Sequence, residues 1–243
     1  MSWLQRVLPP SQGKKESEAD EEHHWLSVSD LMAGLMMVFL FIAVVFMRNA
    51  WVEKERVTEV AVAYQENQVA LYQALMVEFE DDLDQWEAAI DETTLSFTFQ
   101  SPDVLFATGS TELQQRFRNI LADFFPRYLD VLMQFSSSIN EVRIEGHTSS
   151  VWGVNTSEDE AYFNNMELSQ GRTRTVLNHV YGLDQVSQLQ PWVKANVAAV
   201  GFSSSRLELT ENGIEDREAS RRVSFRVITN ADTQIRKILE QGG

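Results

Sequence analysis

The 243-residue chain contains no cysteine, which excludes disulfides, thiolate metal sites and cysteine nucleophiles. Glycine and proline are scarce, at 11 and 5 residues, and residues 48–92 hold neither, which favours helix there. Basic residues are outnumbered, 20 against 36 acidic ones, for a formal net charge of −16. Such a surface repels polyphosphate backbones, so direct nucleic-acid binding is not expected. The four histidines, His23, His24, His147 and His179, lack zinc-site spacing, and no P-loop, G-x-G-x-x-G or G-x-S-x-G occurs. No metal, no cofactor and no enzymatic chemistry are therefore expected.

One long hydrophobic run is present. Leu31 to Met47 are 17 residues without a charge, and extension back to Trp25 gives 23 with one charge, Asp30. At a rise of about 1.5 Å per residue, roughly 20 apolar residues cross the hydrocarbon core of a bilayer. The run is apolar all round, unlike the amphipathic helices that cover a soluble core. A cleaved signal peptide is a poor fit, because the leader becomes acidic (ESEADEEHH) and MRNAWVEKER offers no small-residue cleavage site. The expectation is a membrane anchor over residues 25–47, preceded by a tail of residues 1–24. Arg6, Lys14 and Lys15 precede the run and Arg48, Lys54 and Arg56 follow it, so the count of basic residues does not orient it.

Asp30 has two readings from position alone. After Ser27-Val28-Ser29 it suits the N-cap of a membrane helix. Alternatively it carries protons, since desolvation near a bilayer favours the neutral form of a carboxyl group.

The surrounding sequence W-L-S-V-S-D-L-M-A-G-L-M-M-V-F resembles the membrane segment of MotB-type stator B subunits, through Trp25, Asp30, Leu31, Met32, Ala33, Gly34, Met36, Met37 and Phe39. The resemblance implies that Asp30 is the ion carrier, with H+ as the coupling ion. It also implies a homodimer inside a ring of five A subunits, of the kind found in flagellar and Zorya motors. Ala33 and Gly34 would permit the close helix approach such a ring demands.

Residues 48–92 read as a helical segment. Val57, Tyr64 and Leu71 are spaced by seven, and Phe79, Leu83, Trp86 and Ile90 follow a four-three-four pattern. This suits helices pairing through an apolar seam with a register change between them, or equally an amphipathic helix lying on its own domain. The acidic run from Glu78 to Asp84 reads as a solvated helix face. The stator resemblance implies a plug and linker role.

Residues 93–230 alternate strand and helix signals, followed by a tail of residues 231–243. Leu95, Phe97 and Phe99 alternate with polar residues as a half-buried strand does. A helix is predicted over Thr111 to Phe135, kinked or split by Pro126, and a second strand around Val142 and Ile144. A polar loop over Ser149 to Phe163, a helix from Leu168 to Leu183, and strands over Val197–Val200 and Arg222–Ile228 complete the pattern. The predicted class is α/β: a single N-terminal transmembrane helix, a helical linker and an α/β sandwich with helices on one face of a mixed sheet.

Four landmarks resemble the OmpA-like peptidoglycan-binding domain in their order: Leu105–Ser110 (LFATGS), Ile144–Thr148 (IEGHT), Asn165-x-x-Leu168-Ser169-x-x-Arg172, and Ser220–Val223 (SRRV). Asn165, Leu168 and Arg172 share one helix face by their three-and-four spacing. An arginine there can bind a stem-peptide carboxylate bidentately, and Asn165 supplies both a donor and an acceptor. The resemblance implies a peptidoglycan site of Thr148, Ser149, Asn165, Leu168, Arg172 and Arg222. In that family an Asp follows the Gly-x-Thr and holds the diaminopimelate ammonium, whereas this chain has Ser149, with Glu158, Asp159 or Glu160 as candidate substitutes.

An Asp-bearing anchor joined to such a domain resembles the B subunits of Zorya phage-defence stators more than flagellar ones, given the acidic leader and the D-L-M-A-G-L core. The resemblance implies a single-pass bacterial inner-membrane protein, N-terminus cytoplasmic, with its C-terminal domain in the periplasm gripping peptidoglycan. A flagellar stator subunit and a passive membrane-to-wall tether are the alternatives.

Overall fold

Between Pro10 and Pro102 no proline interrupts the chain, and one helix, α1, runs from Gly13 to Trp86. The computed structural model describes residues 13–100 and 105–230, without the side chains of 13–27, 57, 59–61, 63 and 64. The first 12 residues, the tail 231–243 and the Val57 and Tyr64 side chains of the heptad lie outside the described residues. The chain divides into two compact units at Arg56/Val57.

In the first unit, Val28–Arg56 is long and apolar enough to cross a membrane, with a mean hydropathy of 2.5. Its apolar side chains are exposed on every side, Leu31, Met36, Phe41 and Phe46 among them. A helix that is apolar all round and uncovered by its own protein suits a lipid or protein surround.

In the second unit the later part of α1 carries Leu71, Leu75, Phe79 and Trp86 into the hydrophobic core. Strands β1 (Ala88–Asp91) and β2 (Ser96–Phe99) follow as a hairpin. Its turn is held by the Asp91 carboxylate, which accepts from the Thr94 backbone N–H at 2.6 Å and from its hydroxyl at 2.7 Å. Then come α2 (Gln115–Gln134), β3 (Ile139–Gly146), α3 (Glu158–Tyr181), α4 (Gln190–Asn196), β4 (Val197–Gly201), α5 (Arg217–Ser220) and β5 (Val223–Thr229). The five strands form one mixed sheet in the order β1-β2-β5-β3-β4, in which β3 and β4 are parallel and the other pairs antiparallel.

Period-two alternation gives the sheet two unlike faces. Phe97, Phe99, Val142, Ile144, Val223, Phe225 and Val227 are buried in the core. Phe124 of α2 stands at its centre, 4.5 Å from Phe97 and 5.0 Å from Phe225 between ring centroids. The opposite face presents Ser96, Thr98, Ser224 and Arg226 to a polar groove. Helix α3 lies close on β3 and β4 because both strands end in glycine. A Cβ at Gly146 would fall 2.9 Å from the Ser169 carbonyl oxygen, and one at Gly201 2.5 Å from the Gln170 backbone nitrogen.

Several expectations are corrected. The domain core begins inside the stretch read as linker, since Leu71 to Trp86 and strand β1 all precede residue 93. There is one continuous helix rather than two in different registers, and Ile90 stands on β1. Of the two readings given for the seam of Phe79 and Trp86, the helix lying on its own domain is the one seen: Phe79 lies 5.3 Å from both Phe97 and Phe124. The acidic run is not wholly solvated, because Glu78 and Asp82 meet the Arg127 guanidinium at 2.6 and 2.9 Å. Helix α3 starts at Glu158, well before Leu168, since Ser157 caps it by accepting from the Glu160 N–H and three acidic residues fill its first turn. Pro126 does not split α2, whose Phe124, Phe125, Tyr128 and Leu129 are buried on both sides of it. That packing outweighs the local proline penalty of about 3 kcal/mol.

If the α1 segment belongs to the domain core, Phe79→Ala should lower the unfolding free energy by about 3–5 kcal/mol. Urea denaturation followed by tryptophan fluorescence checks this, and a change within error would detach the segment from the core.

Candidate functional site

The turn LFATGS is built around a bridge between Phe106 and Leu113. Gly109 takes a φ of +68°, which favours glycine, and the Ser110 N–H bonds the Ala107 carbonyl at 2.9 Å. This turn holds Arg172 of α3. The Arg172 Nε–H donates to the Ser110 carbonyl at 2.9 Å and Nη2 reaches the Ala107 carbonyl at 3.5 Å. Its guanidinium stacks over the Phe106 ring, 4.7 Å from the centroid. Arg172 is 9% exposed and makes no ion pair among the described residues. Burial, and then the charge of Arg221, pull its pKa down to about 10. It remains a cation at neutral pH.

The second wall follows β3. The Thr148 N–H donates to the Ser203 carbonyl at 2.9 Å, which fixes the strand's exit. Asn165, about two helical turns before Arg172 on α3, is buried and donates from Nδ2 to the carbonyls of Ser149 at 3.1 Å and Val151 at 3.5 Å. It therefore clamps the loop that carries Trp152.

The third wall comes from α5. Asp216 caps this short helix, its Oδ1 accepting from the Glu218 and Ala219 N–H groups at 3.0 Å each. Arg217 and Arg221 project from it, and the Arg221 Nε–H bonds the Arg217 carbonyl at 3.1 Å. The adjoining Glu215 accepts from the Ser150 N–H at 2.8 Å and from its hydroxyl at 2.5 Å.

Together these walls enclose a cavity of about 370 Å³ lined by Phe106, Thr108, Gly109, Thr148, Ser149, Val151, Trp152, Asn165, Leu168, Arg172, Arg217 and Arg221. Three arginines line it and, among the described residues, no carboxylate does. The Thr148 hydroxyl is buried without a hydrogen-bond partner among the described residues. The arrangement suits an anion, which desolvated arginines bind through charge-assisted hydrogen bonds.

Of the six expected residues, Thr148, Ser149, Asn165, Leu168 and Arg172 meet at this cavity. Arg222 does not. It pairs with Glu208 at 2.9 Å, donates to the Arg206, Ala219 and Ser220 carbonyls, and lines the polar groove on the other sheet face. Strand parity carries this signal in the sequence: Arg222, Ser224 and Arg226 alternate with Val223, Phe225 and Val227. Sequence reasoning missed Arg217, Arg221 and Trp152, which sit in segments without a periodic pattern. Glu158, Asp159 and Glu160 do not line the cavity; they form the first turn of α3. His147 also turns away, stacked on Phe202 with ring centroids 5.3 Å apart.

Asp30 lies in the other unit. Because α1 begins at Gly13, Asp30 stands inside the helix and does not cap it. Its side chain is exposed, one residue before the run that begins at Leu31.

A Zorya protein ZorB from Escherichia coli is 54% identical over 230 residues, covering 94% of this chain and 98% of that one. The chain belongs to the ZorB family. No family model matches it. Among solved structures, a MotB-like protein from Desulfovibrio vulgaris covers 68% of this chain and 93% of its own, at 22% identity and a TM-score of 0.48. The type VI secretion cell wall anchor of Pseudomonas aeruginosa covers 64% and 96%, at 22% identity and a TM-score of 0.44. The periplasmic domain of Helicobacter pylori MotB covers 60% and 84%, at 16% identity and a TM-score of 0.41. The family assignment rests on the ZorB relative alone.

In this ZorB-family chain, Asn165→Ala should release the loop and lower the unfolding free energy by about 1–3 kcal/mol. Hydrogen exchange should accelerate in residues 149–157 while the sheet amides keep their protection. Unchanged exchange in the loop would show that Asn165 does not hold it.

Proposed function

We propose that this chain is the wall-anchored B subunit of a proton-driven inner-membrane stator that serves Zorya phage defence. The observation that carries the reading is Asp30, a carboxylate beside a long apolar run and inside a helix, where capping does not account for it. Membership of the ZorB family and the anion-binding cavity support the anchor half of the reading.

In this reading the chain crosses the inner membrane once, with its N-terminus in the cytoplasm. Two copies place their Asp30 side chains against a ring of five A subunits. A proton neutralises one carboxylate and weakens its attraction to the ring, and its release restores that attraction. Alternation between the two copies turns the ring around a dimer that cannot rotate, because its periplasmic domains hold peptidoglycan. A stem-peptide carboxylate seats against Arg172 and Arg221, with Asn165 and Thr148 presenting the polar wall. Disturbance of the envelope by phage is the trigger, and the chain itself contacts no nucleic acid.

Phage plating efficiency on cells carrying the whole gene neighbourhood tests the motor half. Asp30→Asn and Asp30→Ala should both abolish protection at unchanged membrane levels. Protection that persists in Asp30→Asn would leave a passive tether.

Sedimentation with purified sacculi tests the anchor half independently. Arg221→Ala should reduce binding about tenfold, within the range for loss of a charge-assisted contact. Arg222→Ala should leave wall binding intact while destabilising the fold. The reverse pattern would move the wall site to the opposite sheet face.

A further inference from the structure

The charge balance of the cavity says which form of the wall it takes, and this deepening rests on the peptidoglycan reading above. Arg172, Arg217 and Arg221 line the cavity, and among the described residues no carboxylate does. The acidic group that touches the same loop, Glu215, is committed to Ser150 through both oxygens and sits 3.9 Å from the Arg217 Nε. Arg172 and Arg221 have no acidic partner among the described residues. In a chain of net charge −16 this is a local cationic pocket. The uncharged polar side chains at the cavity include Thr108, Ser149, Asn165 and Thr148, whose hydroxyl is buried and has no hydrogen-bond partner among the described residues.

Stem peptides of a bacterial wall present carboxylates together with a side-chain amine. That amine is either a free ammonium or, once cross-linked, a neutral amide. A free ammonium brought beside the Arg172 and Arg221 guanidiniums meets like-charge repulsion and finds no carboxylate among the described residues that line the cavity. A neutral amide carries no such penalty and offers an N–H and a carbonyl to hydroxyl and amide groups of the kind present. A cavity of about 370 Å³ accommodates a short peptide segment of that kind.

We propose that the cavity selects stem peptides whose side-chain amine is acylated, binding their carboxylates at Arg172 and Arg221, and rejects stems that carry a free ammonium. The stator would thus anchor to cross-linked, load-bearing wall rather than to unlinked stems. The basis is electrostatic exclusion, so one inserted carboxylate should reverse it.

Calorimetric titration of the full-length chain in nanodiscs tests this with three soluble probes. They are a stem tripeptide with a free side-chain amine, the same peptide N-acetylated there, and the acetylated peptide with its carboxylates amidated. The acetylated form should bind about tenfold more tightly than the free amine, and the amidated form should not bind. Ser149→Asp should reverse the order of the first two. Equal affinities, or a preference for the free amine in the unmodified chain, would overturn the selectivity while leaving the peptidoglycan reading intact. Binding of sacculi without binding of any soluble stem would overturn the cavity as the wall site. Failure to bind sacculi as well would overturn the peptidoglycan reading itself.

Discussion

A buried guanidinium held by carbonyl dipoles and an aromatic face, rather than by a carboxylate, organises the cavity of the C-terminal unit. Arg172 donates to Ser110 and Ala107 and lies over Phe106, so the turn after the hairpin, the middle of α3 and the floor of the cavity share one anchor. Carbonyl oxygens orient a guanidinium without neutralising it. A carboxylate in the same place would have quenched its charge. The cost is desolvation of an unpaired cation, and the packed α3–sheet interface around Gly146 and Gly201 keeps that geometry in place.

Helix α1 shows how the same element type takes opposite roles through the distribution of apolar side chains. Over Val28–Arg56 the apolar residues surround the helix and none of that window is buried by the protein itself. From Leu71 to Trp86 they fall on one stripe, at three- and four-residue intervals, and that stripe is buried against the sheet and α2. Arg127 covers the stripe's edge, pairing with Glu78 and Asp82 and resting 4.8 Å over the Phe79 ring. The four-three-four spacing is compatible with either a partner helix or the chain's own sheet. Spacing describes a face; it does not say what covers it.

Much of the fold was legible because period and composition act locally. Four of the five strands announce themselves by alternating or continuous apolar residues, and the long apolar run of α1 by length alone. Strand β1 escaped notice because AAID is short and follows a helical pattern without a turn signal. The early start of α3 escaped because Ser157 and its acidic first turn lie in a segment whose polar character reads as loop. At the site, Asn165, Leu168 and Arg172 were legible as one helix face. Arg217 and Arg221 were not, since they reach the cavity only through the path of the segment between β4 and β5.

The sequence by itself determined the long apolar run, the one carboxylate beside it, the mixed α/β class and the shared face of Asn165, Leu168 and Arg172 on α3. Each of these depends on interactions within a few residues or on the solvent preference of a continuous run. Strand parity in the sequence already set Arg222 on the polar sheet face, but the tertiary structure alone brought Arg217 and Arg221 to the cavity. It also left Glu158, Asp159 and Glu160 outside that cavity and placed the seam of α1 in the domain's own core. Those outcomes depend on contacts between segments far apart in the chain, Arg172 with Ser110 and Phe79 with Phe97 among them, which no local pattern encodes.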